Sequence, residues 1–461
     1  MLGAGLDIAY DARLDVVQLR DVPLAQQGGR KRSRRDAGPA PSSPHGTHAI
    51  SLLCEEEWPL VEAVARKEGA DVAKLRNLFT YLSSVIRCVI YVVVRDGSVR
   101  VFAPLCARHF RNTFSHRISD ADAAVVERAC GTPRDSWYMN GKLLCERPSR
   151  DTWGDYLFLE LKYMVQQAAR RLPEHVTYEF CVNKRDHAMV HASRVADPYT
   201  GSPLPAMVAR AASNLPTFLS FYSSSQHADN LMPLPHDAFS ESTSPIPWQE
   251  KRDVAFFRGG ATGLGLRQWL VSAARTLRDL YAGEKYAVDA GLTSVPRRWR
   301  WRLGDGGRIE LLPPQTDRPP LTAPVPEREW GRYKVLLYCD GNAGATRWLK
   351  MFSHGSLVVR LRDESCPCPD MWASQNVLKK GVHYMEAEAR MESLDACLQS
   401  AFYDEATSRI LASEGLCMYE LMSKEIESGE ALARVISETN VSQTALRTPA
   451  RRVDTRASAS Q

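Results

Sequence analysis

Residues 333–361 read YKVLLYCDGNAGATRWLKMFSHGSLVVRL, and their order decides the fold class. Val335 to Cys339 is an unbroken apolar run of strand length. Asp340 to Thr346 is a loop of small and polar residues with glycines at 341 and 344. Thr346 can cap a helix whose first turn holds Arg347, and Gly355 is placed to end that helix. Ser356 to Leu361 is a second apolar, β-branched run. Strands apolar on both faces, joined through a helix, belong to a parallel sheet covered by helices, so we expect an α/β protein. Arginine in the first turn of a helix conflicts with the helix dipole unless an anion sits nearby. Such a local conflict points to a site.

The same grammar recurs upstream. Val254 to Phe257 reads as a strand, Arg258 to Gly265 as a glycine-rich loop, and Leu266 to Leu280 as a helix. Glycines after a strand let backbone amides approach an anion, and Arg258 and Arg267 can add bidentate phosphate contacts. Gly260 to Gly265 has the spacing of a P-loop, but Leu266 stands where its lysine must be, and the glycines are out of register for a dinucleotide fingerprint. Cys88 to Arg95, Asp96-Gly97 and Ser98 to Ala103 spell a β-hairpin. Val176 to Val182 is a short strand followed by Asn183-Lys184-Arg185-Asp186-His187. An aspartate there can reach a cleft as a general base, with Arg185 keeping it ionised. The loop is superficially kinase-like, but its downstream asparagine and the other kinase motifs are missing. Trp58–Leu82, Asp155–Arg171, Leu394–Phe402 and Asp404–Glu438 read as helices.

The chain has 461 residues, enough for two or three domains, and 44% hydrophobic with 25% charged residues excludes wholesale disorder. Its net charge of +5 is concentrated in Arg30–Arg35 and Arg447–Arg456, which leaves a nearly neutral body and argues against a dedicated nucleic-acid binder. The eleven cysteines mostly lie in apolar settings and read as buried reduced thiols. Cys366 and Cys368 lack a second pair for zinc. No run reaches the length of a membrane span, and no signal peptide or retention motif is legible, which reads as cytoplasmic. Residues 1–48 read as a disordered basic arm and residues 439–461 as a disordered tail, with the folded body between them.

Taken in sequence order, several of these segments resemble glycosyltransferase family 90, the capsule-associated-protein-type family that includes the protein O-glucosyltransferases. The residues that carry the likeness are Asn183 to Asp186, the segment His227 to Pro235 with Asp229, then Trp248, Lys251 and Phe257-Arg258-Gly259. Val288 to Thr293, Tyr333 to Val358 and Gly381-Val382-His383-Tyr384 continue it. The likeness covers about residues 80–425. It implies a GT-B-like architecture of two Rossmann-like lobes facing across a cleft. The acceptor-side lobe would span 49–215 and the nucleotide-sugar lobe 216–438. It also implies inverting, metal-independent transfer of glucose or xylose from UDP-glucose or UDP-xylose to a hydroxyl of a protein serine or a glycan, with no separate cofactor. Asp186 matches the family's catalytic base, and Arg258, Gly259, Arg267, Gly341, Thr346 and Arg347 match donor-site positions. His383 and Tyr384 are open between donor contact and core packing. Family relatives work in the secretory pathway with a signal sequence, which this sequence does not display.

Two bland readings and two rival functions stand beside this one. Asp120-Ala121-Asp122 has the D-x-D form of metal-dependent transferases but lies in a helical stretch that would splay the carboxylates, so it reads as a solvated helix start. Pro296 to Arg302, with two tryptophans among four arginines, reads as a surface strand. Its rival reading is a single-strand nucleic-acid contact. The other rival is an inactive glycan-binding scaffold on the same fold.

Overall fold

The computed structural model describes residues 10–11, 16–17, 58–86, 88–106, 138–139, 142–143, 155–183, 188–198, 201–235, 245–262, 265–280, 286–294, 300–303, 309–312, 320–341, 347–363 and 370–447. Asp186, Thr346, the Asp120-Ala121-Asp122 stretch, Cys366, Cys368 and Pro296–Trp299 lie outside these residues.

Two sheets organise the chain, one in each α/β lobe, in keeping with the GT-B-like expectation. The first is built from β1 (Tyr10–Asp11), β2 (Val16–Val17), β3 (Cys88–Arg95), β4 (Ser98–Cys106), β5 (Thr177–Asn183), β6 (Thr217–Ser220) and β7 (Asn230–Leu231), in the order β1-β2-β4-β3-β5-β6-β7. The hairpin β3–β4 is turned by Asp96 and Gly97, both at positive φ (49° and 67°), as the Asp-Gly dipeptide demands. β5, β6 and β7 then run parallel to one another. β3 is buried on both sides: Ile90, Val92 and Val94 enter one core layer, and Val89, Tyr91 and Val93 the other. Two strands fall inside the expected N-terminal arm, where the β-branched Val16-Val17 pair extends the sheet edge, Val17 opposite Val101.

The second sheet contains β8 (Arg252–Gly260), β9 (Ala287–Ser294), β10 (Tyr333–Cys339), β11 (Leu357–Arg362) and β12 (Met385–Glu388). All its neighbours are parallel, in the order β9-β8-β10-β11-β12. In local numbering that is 2-1-3-4-5, one of the two common doubly wound orders.

The helices divide between the faces. α1 (Trp58–Lys67), α2 (Val72–Tyr81) and α4 (Ala206–Ala212) cover one side of the first sheet, and α3 (Asp155–Ala169) the other. α5 (Leu266–Leu280) and α7 (Met391–Tyr403) lie on one face of the second sheet, and α6 (Arg347–Phe352) on the other. α8 (Glu405–Glu427) and α9 (Glu430–Arg447) follow. The apolar layer that holds Ile90, Val92 and Phe180 also holds Phe256, Leu336 and Trp348, so the two lobes share one core.

Three expectations need correction. Trp58–Leu82 is two helices: Gly69 turns the chain at φ 78°, and the Asp71 carboxylate accepts the amides of Ala73 and Lys74 to start α2. Asp404–Glu438 is likewise broken, at Gly429 (φ 79°), and the second helix runs on to Arg447, inside the expected tail. Ala431, Leu432 and Ile436 dock that helix into the shared core, so it carries its polar sequel along as helix. Finally, the first sheet reaches beyond residue 215, because β6 pairs with β5 and β7 with β6 rather than with the second sheet.

Gly429 shows how tightly α9 returns to the first lobe. A Cβ there would lie 2.5 Å from the Ala168 nitrogen and the Gln167 carbonyl carbon. Beside it, Arg171 Nε donates to the Ser428 carbonyl at 2.6 Å.

Candidate functional site

The crossover connections define where a ligand fits. After β8 the chain leaves through α5 on one face, and after β10 it leaves through α6 on the opposite face. β8 and β10 are adjacent, so the carboxyl ends of these strands bound the crevice at the topological switch point, the general ligand position in such sheets. Five expected donor-site residues converge there: Arg258 and Gly259 in β8, Arg267 in the first turn of α5, Gly341 after β10, and Arg347 at the start of α6. The sixth, Thr346, lies outside the described residues.

Arg267 is 4% exposed. Its Nη1 donates to the Gly260 carbonyl at 3.1 Å and to Thr262 Oγ1 at 2.6 Å. Its Nε and Nη2 donate to the Cys339 carbonyl at 3.4 and 3.3 Å, so one guanidinium laces the ends of β8 and β10 together. Gly341 is needed for this: a Cβ would come within 3.1 Å of Nη2 and 3.0 Å of Thr262 Oγ1. Arg347 donates from Nη1 to the Arg258 carbonyl at 2.7 Å, and its guanidinium lies over the Trp330 ring at 5.5 Å. A Cβ on Gly259 would stand 3.4 Å from that Nη1. Burial, and then the charge of Arg267, push the Arg347 pKa below its ordinary value. Among the described residues no carboxylate comes within 4 Å of either guanidinium. Among the described residues, then, these two cations at the crevice are held by neutral oxygens and a ring.

Arg258 is different. Its Nη2 lies 2.9 and 2.8 Å from the two oxygens of the Asp289 carboxylate, and Nη1 donates to the carbonyls of Phe257 and Asp289. The guanidinium also rests over the Phe256 ring at 4.9 Å. Its charge is neutralised within the sheet. Composition could not separate Arg258 from Arg347, because Asp289 lies on the neighbouring strand, 31 residues away.

Asp186 and the rest of Lys184–His187 lie outside the described residues, but both flanks are held by one acid that sequence reasoning gave no role. Asp229 accepts the amide of Met189 at 2.9 and 3.0 Å and that of Val190 at 2.7 Å. It also accepts the Ser220 hydroxyl at 2.6 Å, and Ser220 Oγ accepts Asn183 Nδ2 at 2.9 Å. Burial pushes its pKa up to about 6, against the pull of these donors. Its place in the His227–Pro235 segment was the available signal.

Other motif residues serve the frame. Lys251, at the opposite, amino end of β8, donates to the carbonyls of Gly331 (2.6 Å) and His354 (2.8 Å) and to Ser356 Oγ (3.1 Å). Burial brings its pKa down to about 8. Burial, and then Lys251, lower His354 to about 4. His383 Nδ1 accepts the Lys379 amide at 2.9 Å, and Tyr384 packs edge-on against Trp348 at 5.0 Å, which favours the packing alternative for both. Among the described residues there is no group of three or more metal-ligating side chains. Among them, too, no helix is long and apolar enough to cross a membrane.

No family model matches the chain. It is similar to the uncharacterized protein 027R of Frog virus 3 (isolate Goorha), at 25% identity over an alignment of 396 residues that covers 76% of this chain and 40% of that protein. It is similar also to the uncharacterized protein 179R of Invertebrate iridescent virus 6, at 21% identity over an alignment of 430 residues that covers 75% of this chain and 35% of that one. The chain thus spans well under half the length of these relatives. Among solved structures, it is similar to the pneumococcal O-GlcNAc transferase GtfA in complex with UDP and GlcNAc (TM-score 0.30, 10% identity, 50% of this chain and 46% of that one). Anabaena HepE in complex with UDP-glucose gives a TM-score of 0.31 at 9% identity, covering 62% of this chain and 77% of that one. The spinosyn rhamnosyltransferase SpnG with thymidine diphosphate gives 0.29 at 14%, covering 73% and 87%.

Proposed function

We propose that the chain is an inverting glycosyltransferase that moves glucose or xylose from a UDP-sugar to a hydroxyl of a protein serine or a glycan. The observation that carries the reading is the pair Arg267 and Arg347. Two arginines that meet no carboxylate among the described residues, at the switch point of a doubly wound sheet, suit a diphosphate. Arginine stays charged at any working pH, so neither can shed the conflict by losing a proton.

In this reading the diphosphate lies against the ends of β8 and β10. The acceptor oxygen attacks the anomeric carbon from the face opposite the leaving group, and Asp186 takes the acceptor proton. The bond from the anomeric carbon to the UDP oxygen breaks, and UDP departs with the electron pair. A positioned base is worth about 10²–10⁴ in rate. Arg267 and Arg347 meet the charge that grows on UDP, in an environment that weakens it little. They supply the cationic partners of the diphosphate, so turnover is expected without a divalent metal.

The test is UDP release from a panel of UDP-sugars, without acceptor and with EDTA, by the wild type and by Asp186→Asn. The expected result is release with glucose or xylose as the sugar, insensitive to EDTA and lost in the variant. Absence of both turnover and UDP binding would leave a scaffold as the better reading. Salt-sensitive RNA binding that disappears when Arg297–Arg302 is neutralised would favour nucleic acid instead.

A further inference from the structure

α6 has six residues, too few to hold a pose on its own, so packing must place it. Its second residue, Trp348, is fully buried and enclosed by rings: Tyr338 at 4.4 Å, Tyr384 at 5.0 Å and Phe352 at 5.2 Å between centroids. The remaining contact is unusual for a core. The Arg360 guanidinium, 5% exposed, lies 5.4 Å from the centre of the indole. Arg360 sits in β11 opposite Tyr338 of β10. Its Nη2 is 3.3 Å from Asp340 Oδ2, while Asp340 Oδ1 accepts the Tyr338 hydroxyl at 2.5 Å. One buried carboxylate therefore ties down two of the groups that touch the indole. Burial works against the charge of Arg360, but Asp340 and the tyrosines Tyr338 and Tyr384 hold its pKa above the ordinary arginine value.

This arrangement is poor as simple stabilisation. Arg360 Nε and Trp348 Nε1 are both buried without a hydrogen-bond partner. A buried ion pair can often be replaced by apolar residues at no loss of stability. What the pair does provide is a fixed direction for the indole, and Arg347 is the next residue along. We propose that the Arg360–Asp340 pair is a positioning device for Arg347: by fixing the Trp348 ring it sets the first turn of α6, and with it the place where the Arg347 guanidinium meets the ligand. The inference rests on the diphosphate reading of the switch point and deepens it.

The test uses Asp340→Asn/Arg360→Met, because either change alone strands a buried charge. UDP affinity is measured by calorimetry in the wild type, in this double variant, in Arg347→Ala and in the triple combination. The double variant is expected to bind UDP about tenfold more weakly, because a misplaced guanidinium forfeits a charge-assisted hydrogen bond. With Arg347 already alanine, the same two changes are expected to cost nothing further. A loss of equal factor in both backgrounds, or of none in either, overturns the proposal. A purely structural role would lower affinity in both. Hydrogen exchange gives a readout that needs no ligand. Amides at 348–352 are expected to exchange about tenfold faster in the double variant, with those at 254–257 unchanged. Unchanged exchange at 348–352 overturns the positioning role. Failure of the wild type to bind UDP instead sinks the transferase reading, and leaves exchange alone to decide whether the pair holds α6.

Discussion

Replacing Arg347 with methionine separates a residue kept for a ligand from one kept for the fold. In the free protein the side chain makes one hydrogen bond to the described residues, to the Arg258 carbonyl, and lies over Trp330. A charged hydrogen bond contributes about 1.5–3 kcal/mol. Against it stand the burial of the charge and the repulsion from Arg267, which together lower the Arg347 pKa. Methionine keeps a ring contact of comparable worth, about 0.3–1.5 kcal/mol. The terms nearly cancel, so the free protein is expected to change by less than about 1 kcal/mol, or about 2 °C in Tm. The UDP complex behaves otherwise. Loss of one guanidinium–phosphate contact, about 2 kcal/mol, weakens binding roughly 30-fold. At a UDP concentration 100 times the wild-type Kd, ligand stabilises the wild type by about 2.7 kcal/mol and the variant by only about 0.9 kcal/mol. Scanning calorimetry with and without UDP, in EDTA, reads both numbers. A variant that keeps the full UDP effect, or that loses about 3 kcal/mol or more without ligand, refutes the assignment.

Acid titration separates two buried groups of opposite sign. Asp229 has a folded pKa of about 6 against an ordinary 3.8, so the native state takes up its proton first, and acidification from pH 6 to 4 stabilises the fold through it. His354 has a folded pKa of about 4 against 6.5, so the unfolded chain is protonated first, and the same acidification destabilises. Each is worth about 3 kcal/mol at about 1.4 kcal/mol per pKa unit, so the differences in urea midpoint from the wild type across pH 4–7 should slope in opposite directions in Asp229→Asn and His354→Gln. A parallel slope in the two variants would contradict these burial effects. Gly429→Ala combines a left-handed φ with a Cβ 2.5 Å from backbone atoms of α3, so it is expected to cost about 2–5 kcal/mol, read as a lower urea midpoint.

What the sequence disclosed follows the range of the interactions involved. Leu266–Leu280 and the Asp96-Gly97 hairpin were legible because period and turn chemistry are local. The helix breaks at Gly69 and Gly429 were missed because apolar periodicity resumes beyond each glycine and hides the turn. Sheet order was hidden for another reason: β6 joins β5 in a parallel ladder whose side-chain link, Asn183 to Ser220, spans 37 residues, more than a local reading of the sequence takes in. The site follows the same rule. That an arginine stood after each of two strands was visible. That Asp289 quenches Arg258 while no described carboxylate meets Arg267 or Arg347 depends on which strands become neighbours.

The buried cations differ in how their charge is met. Lys251 is surrounded by three oxygens, and burial lowers its pKa to about 8, so it can shed its proton under modest pressure. Arg360 and Arg258 each have a carboxylate. Arg267 meets no carboxylate among the described residues; its guanidinium is met by carbonyls and a hydroxyl. Arg267→Lys should expose this difference. A lysine at that position can donate to Gly260 or Cys339 but cannot span both as the fork does. Burial would also depress its pKa, as at Lys251. UDP affinity relative to wild type is therefore expected to fall by about tenfold between pH 7 and 9 as the ammonium is lost. Calorimetric titration at the two pH values, with the wild type correcting for the ligand's own ionisation, measures that ratio. A ratio independent of pH would mean that position 267 contributes lacing between the strands and no charge to the ligand, and the anion reading would then rest on Arg347 alone.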